Sequence, residues 1–500
     1  MKRRTFLRAT VASAAATALT RYARAARAAA TRWDYLIIGA GTAGLAAGIF
    51  AARRGARVLL VDAAADIGGT LHLSAGQLCG AGTTAQAKQG IVDTPDQHFA
   101  DIMRLSNGKA DPAIARIVAD NAADTVNWLL GAGLTPVDGH PIKGHGGRPG
   151  YSVARFLWDR REGRAILAIV RQELATLLAQ ERVSLQLDTR ITALVTDAAG
   201  AVTGARARVG DSDLTFSARR TLLTTGGYAM NPTLFEQLIH RPAYAATAYP
   251  FSRGDGLQMV TAMGGALRGQ ELHRSGTGSI LTSDHYPAKV YARFNTRPDL
   301  RQPWEIWVDD SGQRYVREDA PETYERELAL YRQPRLRYRI VFDQGILDAA
   351  PSGLPEWTHD KLVSHFGTHR MFARADSLAS LADKIGVAAA TLEATVRDYN
   401  AAVSSGHDRL GRQYLPKQIG TPPYYAVTHL GHSATSSTGV IVDGQMRVLR
   451  SDGTPMKNLY AAGEVLGSGA TVGDAFVPGM MLTPALTLGR LLGEGRLGSP

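Results

Sequence analysis

The stretch from Trp33 to Asp62 limits the possible folds of this chain more than any other segment. It reads WDYLIIGAGTAGLAAGIFAARRGARVLLVD. The apolar run at its start predicts a buried strand, residues 42–54 have the periodicity of a helix, and residues 57–61 predict a second buried strand. Glycines in a GxGxxG pattern join the first strand to the helix. The segment therefore predicts a strand–helix–strand unit with parallel strands, the start of an α/β domain.

The three glycines of this pattern have separate predicted roles. Gly39 allows a tight turn, Gly41 allows the backbone to approach a pyrophosphate, and Gly44 allows the helix to pack closely on the strand. The pyrophosphate would lie at the helix N-terminus, where free N–H groups and the macrodipole favour anions. Asp62 would accept hydrogen bonds from a ribose hydroxyl. The segment predicts a dinucleotide site; a glycine-rich turn that binds nothing is the alternative.

Length and composition limit the remaining possibilities. A chain of 500 residues with 45% hydrophobic content is long enough for two domains. Its one cysteine, Cys79, excludes internal disulfides, a cysteine-based zinc or iron–sulfur site and a CxxCH haem attachment. No basic run with interleaved aromatic residues appears, so we expect no nucleic-acid partner.

Residues 1–30 are predicted to be a targeting segment. They contain seven lysines and arginines and no acid, which accounts for much of the net charge of +11. Their alanine-rich centre is too short to span a bilayer, and Ala-x-Ala sites follow it. The run Arg3-Arg4-Thr5-Phe6-Leu7 resembles the twin-arginine export signal, which implies a periplasmic protein without stable membrane insertion. A basic amphipathic helix or a mitochondrial presequence is the alternative.

Three later motifs narrow the type of dinucleotide. A glycine pair, Gly68-Gly69, follows the ribose acid, and an apolar strand at 222–225 ends in Gly226-Gly227. Near the C-terminus, NLYAAGE ends in Glu464. These motifs resemble, in order, the FAD-specific extension, the "ATGG" strand and the "LYAAGE" strand of the flavoprotein family of fumarate reductases and succinate dehydrogenases, with 3-ketosteroid dehydrogenases as relatives. The resemblance covers about residues 33–495.

This resemblance implies an α/β fold: a Rossmann-type (glutathione-reductase-like) FAD-binding domain with an inserted α+β capping domain. We expect the FAD-binding domain at residues 31–239 and 371–500 and the capping domain at 240–370. The segment from Asp376 to Asn400 is predicted to be a helical pair that returns to the FAD-binding domain.

The resemblance also implies that FAD is the cofactor, held by fifteen residues: Gly39, Gly41, Ala43, Gly44, Asp62, Gly69, Thr70, Ser74, Gly76, Ile191, Gly226, Gly227, Glu464, Leu482 and Thr483. His72 resembles the histidine to which the family's membrane complexes attach flavin covalently. A shift of one residue in the alignment would place Leu71 there instead, so covalent and non-covalent binding both remain open.

The chain departs from the family at the substrate site. Family fumarate reductases hold a dicarboxylate with arginines, because bidentate contacts polarise both carboxylates. Leu347 stands where these enzymes carry their catalytic arginine, and the stretch 473–483 contains no arginine. Val477 stands where ketosteroid dehydrogenases carry a catalytic tyrosine. A dicarboxylate substrate is therefore disfavoured. Four apolar residues of this stretch either form the wall of an apolar substrate pocket or belong to the hydrophobic core: Phe476, Val477, Met480 and Met481.

The resemblance implies five candidate catalytic residues: His432, Tyr315, Arg317, Glu318 and Tyr151. His432 precedes the family's glycine turn, where a histidine orients substrate; the next three lie on the capping hairpin, where a phenol or carboxylate can relay a proton. Tyr151 lies in a substrate-side loop with His145 and Arg148. Each residue also has a plain structural interpretation, as a loop histidine, a solvated hairpin face, a core aromatic or part of a surface loop.

We therefore predict an exported FAD-dependent oxidoreductase that forms or reduces a C–C double bond next to a carbonyl in a fairly apolar small molecule. Hydride would pass at flavin N5, and a redox protein, quinone or oxygen would be the external electron partner. One alternative is a fumarate-reductase-like reductase of an unsaturated carboxylate that uses Arg317 or Arg148. An oxidase and a flavin-loaded electron-transfer or assembly protein are the others.

Overall fold

The computed structural model describes residues 22–144, 148–210 and 212–498. Most of the predicted targeting segment and His145 lie outside the described residues. Residues 22–29 form a helix, and Ala25 and Ala28 of that helix are buried in the larger of two hydrophobic cores. Among the described residues, no helix is long and apolar enough to cross a membrane.

The larger core is built on an eight-stranded sheet. The first strands of the chain are β1 (Arg32–Ile38), β2 (Val58–Val61), β3 (Leu78–Cys79), β4 (Phe156–Leu157), β5 (Val183–Gln186), β6 (Arg190–Thr196), β7 (Val202–Val209) and β8 (Ser212–Leu223). The last are β16 (Gly439–Val440), β17 (Arg447–Leu449) and β18 (Pro455–Ala461). Eight of these strands form the sheet, in the order β17-β18-β8-β1-β2-β5, with β7 paired to β8 and β6 paired to β7. Strands β3 and β4 pair with each other in a separate two-stranded sheet.

The centre of this sheet is parallel and covered on both faces. Strand β1 pairs in parallel with β2 and β8, and β18 pairs in parallel with β8. All residues of β2 are buried, as expected of a parallel strand covered by helices. The predicted α/β fold is confirmed. The helices of this part are Thr42–Arg53, Thr84–Ala87, Pro95–Leu105, Pro112–Gly131, Gly163–Ala179, Pro232–Ile239, Asp255–Ala262, Gly469–Val472 and Leu482–Glu494, with short 3-10 turns at Gly69–His72, Gln270–Leu272 and Glu464–Leu466.

A second hydrophobic core lies in the inserted part of the chain. The short strand β9 (Leu267–Arg268) pairs with β16, and Leu267 packs on the larger core. The strands of the second core are β10 (Ile280–Leu281), β11 (Val290–Ala292), β12 (Ile306–Val308), β13 (Arg337–Asp343), β14 (Phe372–Ala375) and β15 (Tyr424–Leu430). An antiparallel sheet in the order β12-β13-β15-β14 forms its centre. Its helices are Thr323–Arg332, Gln344–Ala349, His359–His365, Leu378–Ile385 and Ala389–Ser405.

The return to the first core comes later than the sequence predicts. The helical pair at 376–400 does not return to the main sheet, because its apolar residues Leu381 and Leu392 pack in the second core. Strand β15 also belongs to that core and pairs with β13 over its whole length. We therefore propose that the capping domain ends near residue 430 rather than at 370.

The glycine turn after β1 has the close packing that the sequence predicts. Gly39 has φ +109°, a conformation that favours glycine. A Cβ on Gly44 would lie 1.9 Å from the carbonyl oxygen of Gly39, so helix Thr42–Arg53 contacts the turn at backbone distance. A Cβ on Gly41 would meet nothing within 4 Å. Close packing therefore requires glycine at positions 39 and 44, whereas Gly41 faces open space.

This difference gives a stability prediction. We expect Gly44→Ala to lower the free energy of unfolding by about 1–3 kcal/mol, because the added methyl overpacks the turn. Gly41→Ala is the matched control and should leave stability unchanged, since its φ of −86° suits alanine. Urea unfolding followed by circular dichroism measures both. Equal midpoints for the two variants would contradict the packing argument.

Candidate functional site: a cleft at the glycine turn

A long cleft opens at the carboxyl ends of the main parallel strands, where open α/β sheets bind ligands. Its cavity volume is about 370 Å³. Most of the residues predicted to hold the cofactor line it: Gly39, Gly41, Ala43, Asp62, Gly69, Thr70, Ser74, Ile191, Gly226, Glu464 and Leu482. The structure therefore brings together residues that are more than 400 positions apart in the chain.

Four of the predicted cofactor residues lie behind this lining: Gly44, Gly76, Gly227 and Thr483. A Cβ on Gly227 would lie 2.1 Å from Oγ of Ser436, so this glycine allows two loops to approach each other. The Thr483 hydroxyl accepts a hydrogen bond from the N–H of Cys79 at 2.9 Å. These residues support the cleft and do not form its surface.

One end of the cleft has the features of a dinucleotide site. Gly41 begins helix Thr42–Arg53, and the open space at its α-carbon leaves room for a phosphate group against the helix N-terminus. Asp62 accepts hydrogen bonds from the N–H groups of Ala40 at 2.6 Å and Ala64 at 2.8 Å. Burial raises the pKa of Asp62, while these N–H groups oppose the shift. The carboxylate is thus held at the cleft wall, where a ribose hydroxyl can donate to it.

Glu464 places a second acid deeper in the cleft. Its Oε1 accepts a hydrogen bond from the N–H of Ser436 at 2.9 Å, and burial raises the pKa of its carboxyl group. A buried acid of this kind gains free energy from a further donor. The polyhydroxylated ribityl chain of FAD supplies such donors, so the residues present fit this cofactor.

One group of lining residues carries no charged side chain: Leu73, Ala75, Gln77, Ala434, Thr435, Phe476 and Met481. Val477 and Met480 are fully buried in the larger core, so the predicted apolar wall consists of Phe476 and Met481. The guanidinium of Arg148 lies 4.9 Å from the centroid of the Phe476 ring, and Glu327 pairs with this guanidinium at 2.5 Å.

Among the candidate catalytic residues, His432 is only two residues in sequence from a residue of this wall, Ala434. Its loop continues into Ala434 and Thr435, which line the cleft. Nε2 of His432 lies 3.0 Å from Oγ of Ser279, and Nδ1 is buried without a hydrogen-bond partner among the described residues. Burial is the main cause that lowers the pKa of His432 to about 4, so the ring is neutral at neutral pH.

Neither His432 nor any of the other four candidates is among the residues that line the cleft. Tyr315 is packed in the cap, where burial raises its pKa well above the usual range. Arg317 forms an ion pair with Asp319 at 2.9 Å.

Glu318 accepts hydrogen bonds from Nε of Arg314 at 2.7 Å and Nη2 at 2.6 Å. The Tyr151 hydroxyl donates to the carbonyl of Pro478 at 2.5 Å. Glu318 and Tyr151 are thus both hydrogen-bonded to other residues of the protein. Their roles in the reaction remain predictions.

The sequence reasoning missed one part of the lining. Thr247, Ala248, Tyr249, Phe251 and Ser252 all border the cleft, just before the Gly-Asp-Gly turn at 254–256. The Gly-Asp-Gly pattern in the sequence could have indicated that this backbone segment lies close to the cofactor. His72 lies outside the lining: its Nε2 is 2.9 Å from the carbonyl oxygen of Ile67, and its ring is 6.5 Å from the ring of Tyr249.

The fold and the cleft together define a flavoprotein with an inserted cap. The profile of the FAD binding domain family matches residues 34–474. The chain therefore belongs to this family; it binds FAD and is an FAD-dependent oxidoreductase of the fumarate reductase/succinate dehydrogenase flavoprotein family, whose members act on carbon–carbon bonds.

Two similar proteins support this assignment, and a third matches in fold alone. The chain is 28% identical over 467 residues to fumarate reductase (cytochrome) of Shewanella frigidimarina, covering 92% of this chain and 76% of the relative. The open conformation of a flavocytochrome c3 fumarate reductase matches with a TM-score of 0.67 at 26% identity, over 93% of this chain and 78% of that one. The 3-ketosteroid delta1-dehydrogenase of Sterolibacterium denitrificans matches in fold, with a TM-score of 0.68 at 20% identity, over 93% and 99%.

The position of Glu464 predicts a specific loss of cofactor affinity. Glu464→Gln removes the charged acceptor, so we expect FAD to bind the apoprotein roughly tenfold more weakly. Glu271→Gln, at an exposed acid outside the cleft, is the matched control. Quenching of FAD fluorescence during titration gives both dissociation constants. Unchanged affinity in Glu464→Gln would contradict the assigned contact.

The buried His432 predicts a pH dependence of stability. Its folded pKa of about 4 lies below the ordinary value of 6.5, so on acidification the unfolded chain takes up a proton that the folded protein does not. Stability therefore falls as the pH drops from 6.5 towards 4, by up to about 1.4 kcal/mol per pH unit for this group. In urea unfolding at pH 7 and pH 5, we expect His432→Gln to lose about 1–2 kcal/mol less than the unmodified protein. The same loss in His432→Gln and in the exposed control His285→Gln would contradict the burial argument.

Proposed function

We propose that this protein forms or reduces a C–C double bond next to a carbonyl group in a fairly apolar small molecule. The observation that carries this proposal is the uncharged cleft wall around Phe476, Met481 and Thr435. Such a wall favours an apolar body, while a dicarboxylate would need two cationic groups there. Leu347, at the position of the fumarate reductases' arginine, supports this, because it is buried in the second core.

The paired state of the nearby arginines also favours a substrate with little charge. Glu327 neutralises Arg148, and Asp319 neutralises Arg317. These were the two arginines suggested for a carboxylate substrate, and each already meets a carboxylate. A substrate anion would therefore have to compete with an internal partner for either one.

In the proposed reaction the protein binds and orients the substrate. FAD, when bound, would supply hydride transfer at its N5 atom. The residues Phe476 and Met481 pack against the apolar body, and the neutral His432 directs the carbonyl group through its unpaired Nδ1. Closing the apolar body against this wall excludes water from the reacting carbons, which strengthens each polar contact.

We further propose that the protein is exported by the twin-arginine pathway to the periplasm, where a redox protein, a quinone or oxygen exchanges electrons with it. The supporting observation is the Arg3-Arg4 run ahead of an alanine-rich segment. The pathway carries folded proteins, which suits an enzyme that binds its cofactor before export.

A second candidate is reduction of an unsaturated carboxylate, favoured by the 28% identity to fumarate reductase (cytochrome). The two candidates differ in the acceptor they need. The first requires a carbonyl conjugated to an alkene on an apolar body, and the second requires a carboxylate.

Anaerobic turnover with reduced methyl viologen tests the proposal. We expect the FAD-loaded protein to reduce benzalacetone, a neutral aryl enone, with a higher kcat/KM than fumarate. Cinnamyl alcohol, which has the same aryl alkene without a carbonyl, is the matched control and should not react. Faster turnover of fumarate would favour the second candidate. Failure of every acceptor to oxidise viologen would contradict the proposed substrate type.

A further inference from the structure

We propose that Arg293 is a further substrate-binding residue: it supplies positive charge beside His432 to the substrate oxygen conjugated to the reacting double bond. This inference rests on the proposed function and adds a specificity-determining residue to it. It predicts that the site prefers one oxygen that carries, or gains, negative charge.

The strand register brings Arg293 to His432. Strands β10 and β11 form an antiparallel ribbon in which Ile280 pairs with Ala292. Ser279 precedes Ile280 and Arg293 follows Ala292, so both lie at the same end of the ribbon. The Ser279 hydroxyl is 3.0 Å from Nε2 of His432.

The same ribbon end is fixed to the cap sheet. The N–H of Ser279 donates to the carbonyl of Leu430 at 3.0 Å, and the N–H of Leu430 donates back to Ser279 at 2.9 Å. Because Leu430 ends β15 two residues before His432, the backbone holds both polar side chains at one place. Arg293 thus extends from a fixed base and not from an isolated loop.

Arg293 has no acidic partner among the described residues. Six cap-side arginines each form an ion pair: Arg148 with Glu327, Arg274 with Asp474, Arg297 with Asp299, Arg301 with Glu305, Arg314 with Glu318 and Arg317 with Asp319. Arg293 is exposed and makes no hydrogen bond or ion pair to the described residues. Its charge therefore remains available to a ligand.

His432 has matching unused capacity. Its Nδ1 is buried and has no hydrogen-bond partner among the described residues, so this atom can still form one hydrogen bond. We assign the Ser279 hydroxyl as the donor to Nε2, which leaves the proton of the neutral ring on Nδ1. Nδ1–H is then a donor for a substrate oxygen. Arg293 is the charged side chain that acts on this ring, and it favours the neutral form.

The chemistry of the proposed reaction uses both features. When hydride from the reduced cofactor adds to the β-carbon of an enone, a C–H bond forms and the π electrons move to the carbonyl oxygen. The resulting enolate then takes a proton from water at the α-carbon. Negative charge thus develops on the oxygen that His432 binds, and a nearby guanidinium stabilises it. For a carboxylate substrate the same guanidinium also stabilises the bound ground state.

Two acceptors that share the same aryl alkene distinguish negative charge that develops during the reaction from negative charge already present on the substrate. The FAD-loaded wild type, Arg293→Met and Arg293→Lys are assayed with benzalacetone, which is neutral, and cinnamate, which is anionic. Arg297→Met is the matched control, because this nearby arginine is already paired with Asp299. Dissociation constants come from perturbation of the flavin absorbance, and kcat and KM come from oxidation of reduced viologen.

We expect Arg293→Met to lower kcat for benzalacetone by roughly ten- to a hundredfold with little change in KM, because the charge acts mainly in the transition state. For cinnamate, we expect weaker binding by roughly tenfold and a higher KM. Arg293→Lys should recover part of both losses, and Arg297→Met should match the wild type. A merely structural role would not give this split between kcat and KM.

Two results would overturn the inference in different ways. If the wild type responds to either acceptor and Arg293→Met responds equally, Arg293 has no part in substrate binding while the proposed function stands. If the wild type neither binds nor reduces either acceptor, the proposed function fails and the inference fails with it.

Discussion

The structure depends first on a hydrogen bond at the end of two parallel strands. The Thr224 hydroxyl, after β8, donates to the carbonyl of Gly39 at 2.7 Å and joins this strand to the turn after β1. Helix Thr42–Arg53 packs against the same turn through Gly44, at a distance that no side chain would allow. The helix N-terminus is thereby fixed against the cleft. A fixed helix end binds a pyrophosphate without the cost of ordering it first.

Ion pairs neutralise several buried charges in the cap. Arg314 and Glu318 are almost fully buried, and the pair also contacts Asp408 and Arg412. Buried charges need such partners, because leaving one alone costs several kcal/mol. Arg314 and Arg412 are thereby neutralised inside the cap. Arg293 is exposed and has no acidic partner among the described residues.

The glycine turn and the cleft could be predicted from the sequence better than the ion pairs of the cap. The glycine pattern, the ribose acid and Glu464 lie in local motifs, so the strand–helix–strand unit and most of the cleft lining followed from them. The end of the cap did not follow, because Leu381 and Leu392 have amphipathic spacing that suits either core. Burial of Glu318 depends on Arg314, Asp408 and Arg412, and a hairpin motif does not reveal partners about 90 residues away. Arg293 belongs to no motif, and strand pairing alone brings it to His432.

The central claim is that one cleft holds FAD with its redox-active ring against the uncharged wall and the His432 loop. A crystal structure of the FAD-loaded protein tests this most directly. The account predicts the pyrophosphate over Gly41, a ribityl hydroxyl donating to Glu464, and N5 of the flavin facing Thr435 and Phe476. An isoalloxazine ring turned away from Phe476, with the ribityl chain out of reach of Glu464, would contradict it.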